Sequence, residues 1–275
     1  MLAYYKRYAI ISCVVAVAVP LAVSTAYAAV TGKIMAASLD GLIVLLLLLF
    51  GTMVLMQGVF ARRVDGRTAQ LLALYNDDCD PEAFVEQGRA VADAITEPYD
   101  VTGSWFMTYY GQALLDAGKS DQARKVAEAL RESVAAARKP QAKVGIIANA
   151  VPLVAKVDGP KAALDLVGEG LELAGGQDAD PADSRVVFLR GQQRLRQAEA
   201  AGDDAELRSF YEKSVADAAV PERLRVESAW KLARLAFRSG DVATERRMLR
   251  YVVGHGGELA LVAPARKQLD ALGDA

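Results

Sequence analysis

The chain has 275 residues, 32 basic and 34 acidic side chains, one histidine and two cysteines. That length holds one or two domains with a substantial core, and a formal charge of -2 excludes the global basic field of a nucleic-acid binder. Cys13 lies in an apolar run and Cys79 in a polar one, an arrangement that excludes a disulfide framework and a structural zinc site.

Two uncharged apolar runs come first. Residues 8–30 and residues 41–60, the latter reading GLIVLLLLLFGTMVLMQGVF, each meet the length of about 20 residues that a membrane-crossing helix needs. The first run has a second reading. Lys6-Arg7, the apolar stretch and Ala26-Tyr27-Ala28 also compose a signal peptide cleaved after residue 28. Gly41, Gly51 and Gly58 do not follow the spacing of a close-contact helix motif, so they are read as tolerated glycines. Lys6, Arg7, Arg62, Arg63 and Arg67 flank the pair of runs, whereas the connection holds only Lys33 against Asp40. The positive-inside rule then puts both termini in the cytoplasm. These observations predict a membrane anchor over residues 1–64 and a cytoplasmic domain over 65–275. The Ala- and Val-rich helices suggest a bacterial cell membrane.

The rest of the chain reads as helices joined by turns at a regular interval. Asp77-Asp78, Gly118, Gly159, Gly202 and Gly240 recur about every 38 to 43 residues, the interval of helical repeat arrays. Asp80-Pro81-Glu82 supplies a cap, a proline in the first turn and an acid, and leads into Phe84, Gly88, Val91, Ala92 and Ile95. Around Gly118 two apolar stripes of helical period face each other across the turn. One is Phe106, Tyr109, Tyr110, Ala113, Leu114 and Ala117; the other is Ala123, Val126, Ala127, Leu130 and Val134. Ser120 or Asp121 is a plausible cap between them. Leu207, Phe210, Tyr211 and Val215 continue the pattern, then Val226, Ala229, Trp230, Ala233 and Phe237, then Met248, Leu249 and Val252, and residues 259–272 close it. No alternating β-branched run appears, so the expected class is all-α.

Gly111, Leu114, Gly118, Ala123 and Ala127 resemble the unit of the tetratricopeptide-repeat family: a small residue, a large apolar one, a turn glycine and two small residues beyond it. The later turns keep fewer of these, Gly202-Asp203 with Leu207 and Tyr211, and Ala233 with Gly240-Asp241, and the interval exceeds the family's usual repeat. The resemblance implies a right-handed solenoid of about five helical hairpins with a closing helix. It also implies that the first helix of each hairpin lines a concave groove.

Motifs of catalysis are weak. His255 in Gly254-His255-Gly256-Gly257 lacks the nucleophile elbow that would accompany an oxyanion loop. Asp77, Asp78 and Asp80 lack the rest of a calcium loop and are read as a capped turn. Trp105, Tyr109 and Tyr110, at helical spacing, are read as core ahead of a binding platform. Charge carries more. Residues 65–184 hold 11 basic and 20 acidic side chains, while residues 185–250 hold 14 and 10. In that positive half, Arg190, Arg194, Lys231, Arg234 and Arg238 are the candidate groove residues, suited to a partner's acidic groups. The expectation is a non-catalytic, membrane-tethered scaffold that binds a protein or peptide, with no metal, cofactor, nucleic acid or small-molecule substrate and with the bilayer holding residues 8–60. A chaperone or assembly subunit of a secretion or envelope complex is the alternative, extracytoplasmic if the topology is inverted.

Overall fold

The computed structural model describes residues 2–34 and 38–273, and among them the only regular structure is helical. Residues 35–37 of the connection between the first two helices, and the side chains of Lys6 and Arg7, lie outside the described residues. The chain divides into two compact units, Met1–Gln70 and Leu71–Ala275.

The first unit contains α1, Leu2–Thr31, and most of α2, Leu39–Asn76. Within them Cys13–Thr31 and Asp40–Val59 are long and apolar enough to cross a membrane, and no residue of the second stretch is buried. Leu47 and Leu55, 65% and 66% exposed, typify an apolar surface that the chain itself leaves uncovered. The two helices touch where the Thr52 hydroxyl approaches the Ala16 carbonyl at 3.2 Å, beside the buried Ala16 and Pro20. Gly51 and Gly58 have open space where a Cβ would project, so neither marks a close crossing within the chain. α2 continues as helix well past the last apolar residue of its run, to Asn76.

The second unit is built from the end of α2 and ten further α-helices. α3 is Pro81–Ala92, α4 Val101–Asp116, α5 Ser120–Ala136, α6 Pro140–Val157, α7 Pro160–Leu173 and α8 Ser184–Ala201. α9 is Asp204–Ala216, α10 Glu222–Ser239, α11 Val242–His255 and α12 Val262–Ala271. Each helix from α3 to α12 packs on the next, and α4 also packs on α6 and α6 on α8. The turns have a common cause. Gly118, Gly159, Gly202 and Gly240 all hold φ between 67° and 92°, which only glycine adopts without strain; Gly202 and Gly240 end their helices in the left-handed conformation, and Gly159 stands at the start of α7. Caps start the helices that follow: the Asp80 carboxylate accepts from the Ala83 amide at 2.8 Å, and Asp203 and Asp241 do the same for α9 and α11. α5 differs from expectation, because it begins at Ser120 itself and no side chain caps it.

The core follows the stripes seen in sequence. Phe84, Phe106, Ala113, Leu114, Ala123, Ala127, Leu130, Ala229, Ala233 and Leu249 are all at or near zero exposure. Gly111 is glycine because Leu153 and Val126 occupy the space a side chain would need. The second unit then does something an open array does not require: the connection between α11 and α12 returns to the α2–α3 turn at its start. The Glu258 amide donates to the Cys79 carbonyl at 3.0 Å. Gly257, at φ 51°, lies so close to the α2–α3 turn that a Cβ would stand 2.8 Å from the Asp78 carbonyl oxygen.

Candidate functional site

A cavity of about 680 Å³ opens between α4, α6, α8, α9 and α10. Its apolar wall is aromatic. Trp105 and Tyr109 come from α4 with their rings edge to face at 5.4 Å, Phe188 from α8, and Phe210 and Tyr211 from α9. The aromatic triplet of α4 is thus divided by function: Tyr110 is core, stacked on Phe106, whereas Trp105 and Tyr109 face the cavity.

Two charge clusters form the polar part. Arg223, at the start of α10 and 2% exposed, donates to Glu227 one turn on at 2.5 Å. It also donates to Gln112 and Asn76 at 3.3 Å and lies 4.4 Å above the Tyr75 ring. Lys156 of α6 joins Glu227 at 2.7 Å and Asp116 at 3.7 Å, and the Tyr75 hydroxyl donates to Asp116 at 2.5 Å. This cluster ties α10 to α6, to α4 and to the end of α2. In the second cluster Glu199 of α8 accepts from Arg196 at 2.5 Å, from Lys231 of α10 at 3.0 Å and from the Tyr211 hydroxyl at 3.0 Å. Lys231 also lies 5.1 Å above the Tyr211 ring.

Burial and charge shift these groups in opposite senses. Desolvation pushes the Glu227 carboxyl up, but Lys156 and Arg223 outweigh it and hold the group well below its ordinary range. The same competition leaves Glu199 lowered, with desolvation opposed by Lys231 and Arg196. Burial raises Tyr75 and Tyr211, which stay neutral donors to their carboxylates. Groups so tightly paired fix the geometry of the helices that carry them.

Of the five cations singled out in sequence, the structure brings one into the cavity. Lys231 lines it. Arg190 and Arg194 project from α8 about 200° of helical rotation away from Phe188 and Gln192, which face it. Both are exposed, and Arg194 pairs with Glu206 at 2.9 Å. Arg238 lies near the azimuth of Lys231 but about 10 Å further along the axis, where it meets Asp204 of α9. Arg234 is exposed on the intervening turn, and Phe237, expected on the apolar stripe of α10, is 64% exposed. The sequence reading missed Arg223, Glu227, Arg196, Glu199 and Lys156. Four of them were present in sequence as oppositely charged pairs, Arg223 with Glu227 at i, i+4 and Arg196 with Glu199 at i, i+3, which ordinarily mark a solvated helix face; Lys156 has no such partner.

His255 is not isolated. It stacks on Tyr251 at 4.4 Å, and its Nδ1 lies 3.3 Å from Glu222, which also accepts from Tyr251 and Arg225. This group braces α10 against α11. Asp80 caps α3, as its sequence context implied, and no set of three or more metal-ligating side chains occurs among the described residues. Comparison with protein-family models, with curated proteins and with solved structures finds no match.

Proposed function

We propose that the protein is a non-catalytic, membrane-tethered scaffold whose helical domain receives part of a protein or peptide partner at the mouth of the cavity. The observation that carries this reading is the cavity itself, a concave site walled by aromatic rings and bordered by charge clusters that tie its helices to one another. The likeness of residues 111–127 to a tetratricopeptide unit supports it, because arrays of such units present concave surfaces to partners. Two apolar helices of membrane-crossing length support the tether, and confinement at a bilayer raises the effective concentration of membrane partners. In this reading the helical domain is cytoplasmic, on the evidence of Arg62, Arg63 and Arg67 after the second span.

The test is site-specific photocrosslinking in cells. A photoreactive amino acid at Phe210, in the cavity wall, gives a discrete polypeptide adduct; the same group at Glu128, exposed on α5, does not. Equal adducts from both positions overturn the assignment of the cavity as the contact site. Loss of the adduct with rising salt marks the charge-dependent scaffold, and its persistence marks the chaperone reading, in which apolar segments are recognised.

A further inference from the structure

We infer that the interior of the cavity takes a single-chain amphiphile with one anionic headgroup, its head against Lys231 and its alkyl chain among Phe188, Phe210, Leu224 and Trp105. This rests on the reading of the cavity as a binding site and goes beyond it, since the sequence leads one to expect no small molecule.

Size is the first argument. The cavity of about 680 Å³ is of small-molecule scale.

Hydrogen bonding is the second. Several of the lining's polar groups are already bonded within the chain. Asn149 donates to the Val101 carbonyl and the Ser104 hydroxyl, and Thr108 donates to the Asn149 carbonyl. Ser228 bonds Ser214, and Gln192 accepts from Arg196. An extended peptide brings a donor and an acceptor with every residue, and each one left unpaired in a buried site carries a desolvation cost. An alkyl chain brings none.

Charge is the third. In the cluster around Arg223, two cations, Arg223 and Lys156, face two carboxylates, Glu227 and Asp116. In the other, Arg196 and Lys231 share the single carboxylate of Glu199. One positive charge is left over, and its accessible carrier is Lys231, whose side chain is 42% exposed. Around it, Phe188, Phe210 and Leu224 keep 39%, 43% and 37% of their surface uncovered by the chain. One anion beside uncovered apolar surface is the complement of a fatty-acid-like ligand, whether a free carboxylate or a lysophospholipid.

The experiment uses the full chain in nanodiscs of zwitterionic phosphatidylcholine. Trp230→Phe leaves Trp105 as the sole indole reporter, since the chain has two tryptophans. Dodecanoate, dodecanol, a lysophosphatidylglycerol and a short apolar peptide with one Asp are titrated against Trp105 fluorescence. The expected result is saturable binding of dodecanoate or of the lysolipid, the tighter of the two naming the source. Dodecanol binds at least tenfold more weakly. Lys231→Gln weakens the anion about tenfold but not dodecanol, and Phe210→Ser weakens both, while circular dichroism shows each variant folded. Equal binding of alcohol and acid, or an unchanged affinity in Lys231→Gln, overturns the proposal. A response to the peptide alone overturns it and leaves the cavity as a binding site. No response to any probe, together with no adduct from position 210, removes both readings.

Discussion

Replacing Arg223 by Met tests the central claim about what holds the second unit together. The guanidinium is 2% exposed, bonded to Glu227, Gln112 and Asn76, and seated on the Tyr75 ring. Removing one member of a buried ion pair costs about 3–5 kcal/mol, because the charge left behind is uncompensated. Here Lys156 still holds Glu227 at 2.7 Å, which puts the expected loss at the low end, about 3 kcal/mol. The lost cation–π contact adds about 1 kcal/mol. For a unit of this size that corresponds to a fall in Tm of about 10 °C, measured by near-ultraviolet circular dichroism on the chain in nanodiscs. Arg223→Met with Glu227→Leu removes the orphaned charge as well, and is expected to recover most of the loss. Lys156 then keeps Asp116 as its partner. A fall below about 2 °C in the single variant, or a double variant worse than the sum of the two, refutes the account of Arg223 as the paired centre of the cluster.

Three further outcomes follow from the same contacts. Lys156 and Arg223 hold Glu227 below its ordinary carboxylate range in the folded chain, so its ionised form stabilises the fold. A lowered carboxylate stabilises above its unfolded pKa, so this contribution is complete above about pH 4.5 and disappears as pH falls toward 2. Urea titrations across that window should show the loss, and Glu227→Gln should flatten it. Gly257→Ala puts a Cβ against the Asp78 and Cys79 carbonyls at a positive φ; a loss of about 1–3 kcal/mol and faster hydrogen exchange at the Glu258 amide are expected. Cys79 is fully buried and burial raises its thiol to about 11. It should therefore stay unlabelled by a membrane-impermeant thiol reagent, whereas Ser120→Cys in a Cys13→Ser background, exposed at the start of α5, should label only after cells are permeabilised. Labelling of intact cells at that position would reverse the proposed topology.

The helices were legible because their signals are local. Gly118, Gly159, Gly202 and Gly240 announce their turns by needing no side chain at positive φ, and Asp80 announces α3 by sitting one residue before a proline. The apolar spans are legible by length alone, and the stripe around Gly118 by its period. The return of α10 and of the α11–α12 connection to residues 76–79 was not, because it depends on contacts 147 residues apart, between Arg223 and Asn76, and on a backbone bond from Glu258 to Cys79. No window of sequence contains both ends of such a contact.

The cavity was hidden for a different physical reason. Reading cations as partner-binding residues assumes that exposed charge is available charge, and that buried positions are apolar. Here the assumption fails in both directions. Arg194 and Arg238, chosen for their exposure, meet Glu206 and Asp204 at the surface, where ion pairs contribute little. Arg223 and Arg196, which look in sequence like ordinary helix salt-bridge partners, are drawn inward because each has a carboxylate one turn away that offsets the cost of burial. On α8 the pattern also turns on a rotation of two residues. Phe188, Gln192 and Arg196 repeat at four and face the cavity, while Arg190 and Arg194 repeat at four on the opposite side. Which side of α8 faces the cavity is decided by the helices it packs on, α6, α7 and α9. Tyr211 of α9 and Lys231 of α10 close on Glu199, so the cavity-facing side of α8 is the one whose carboxylate has partners across the gap.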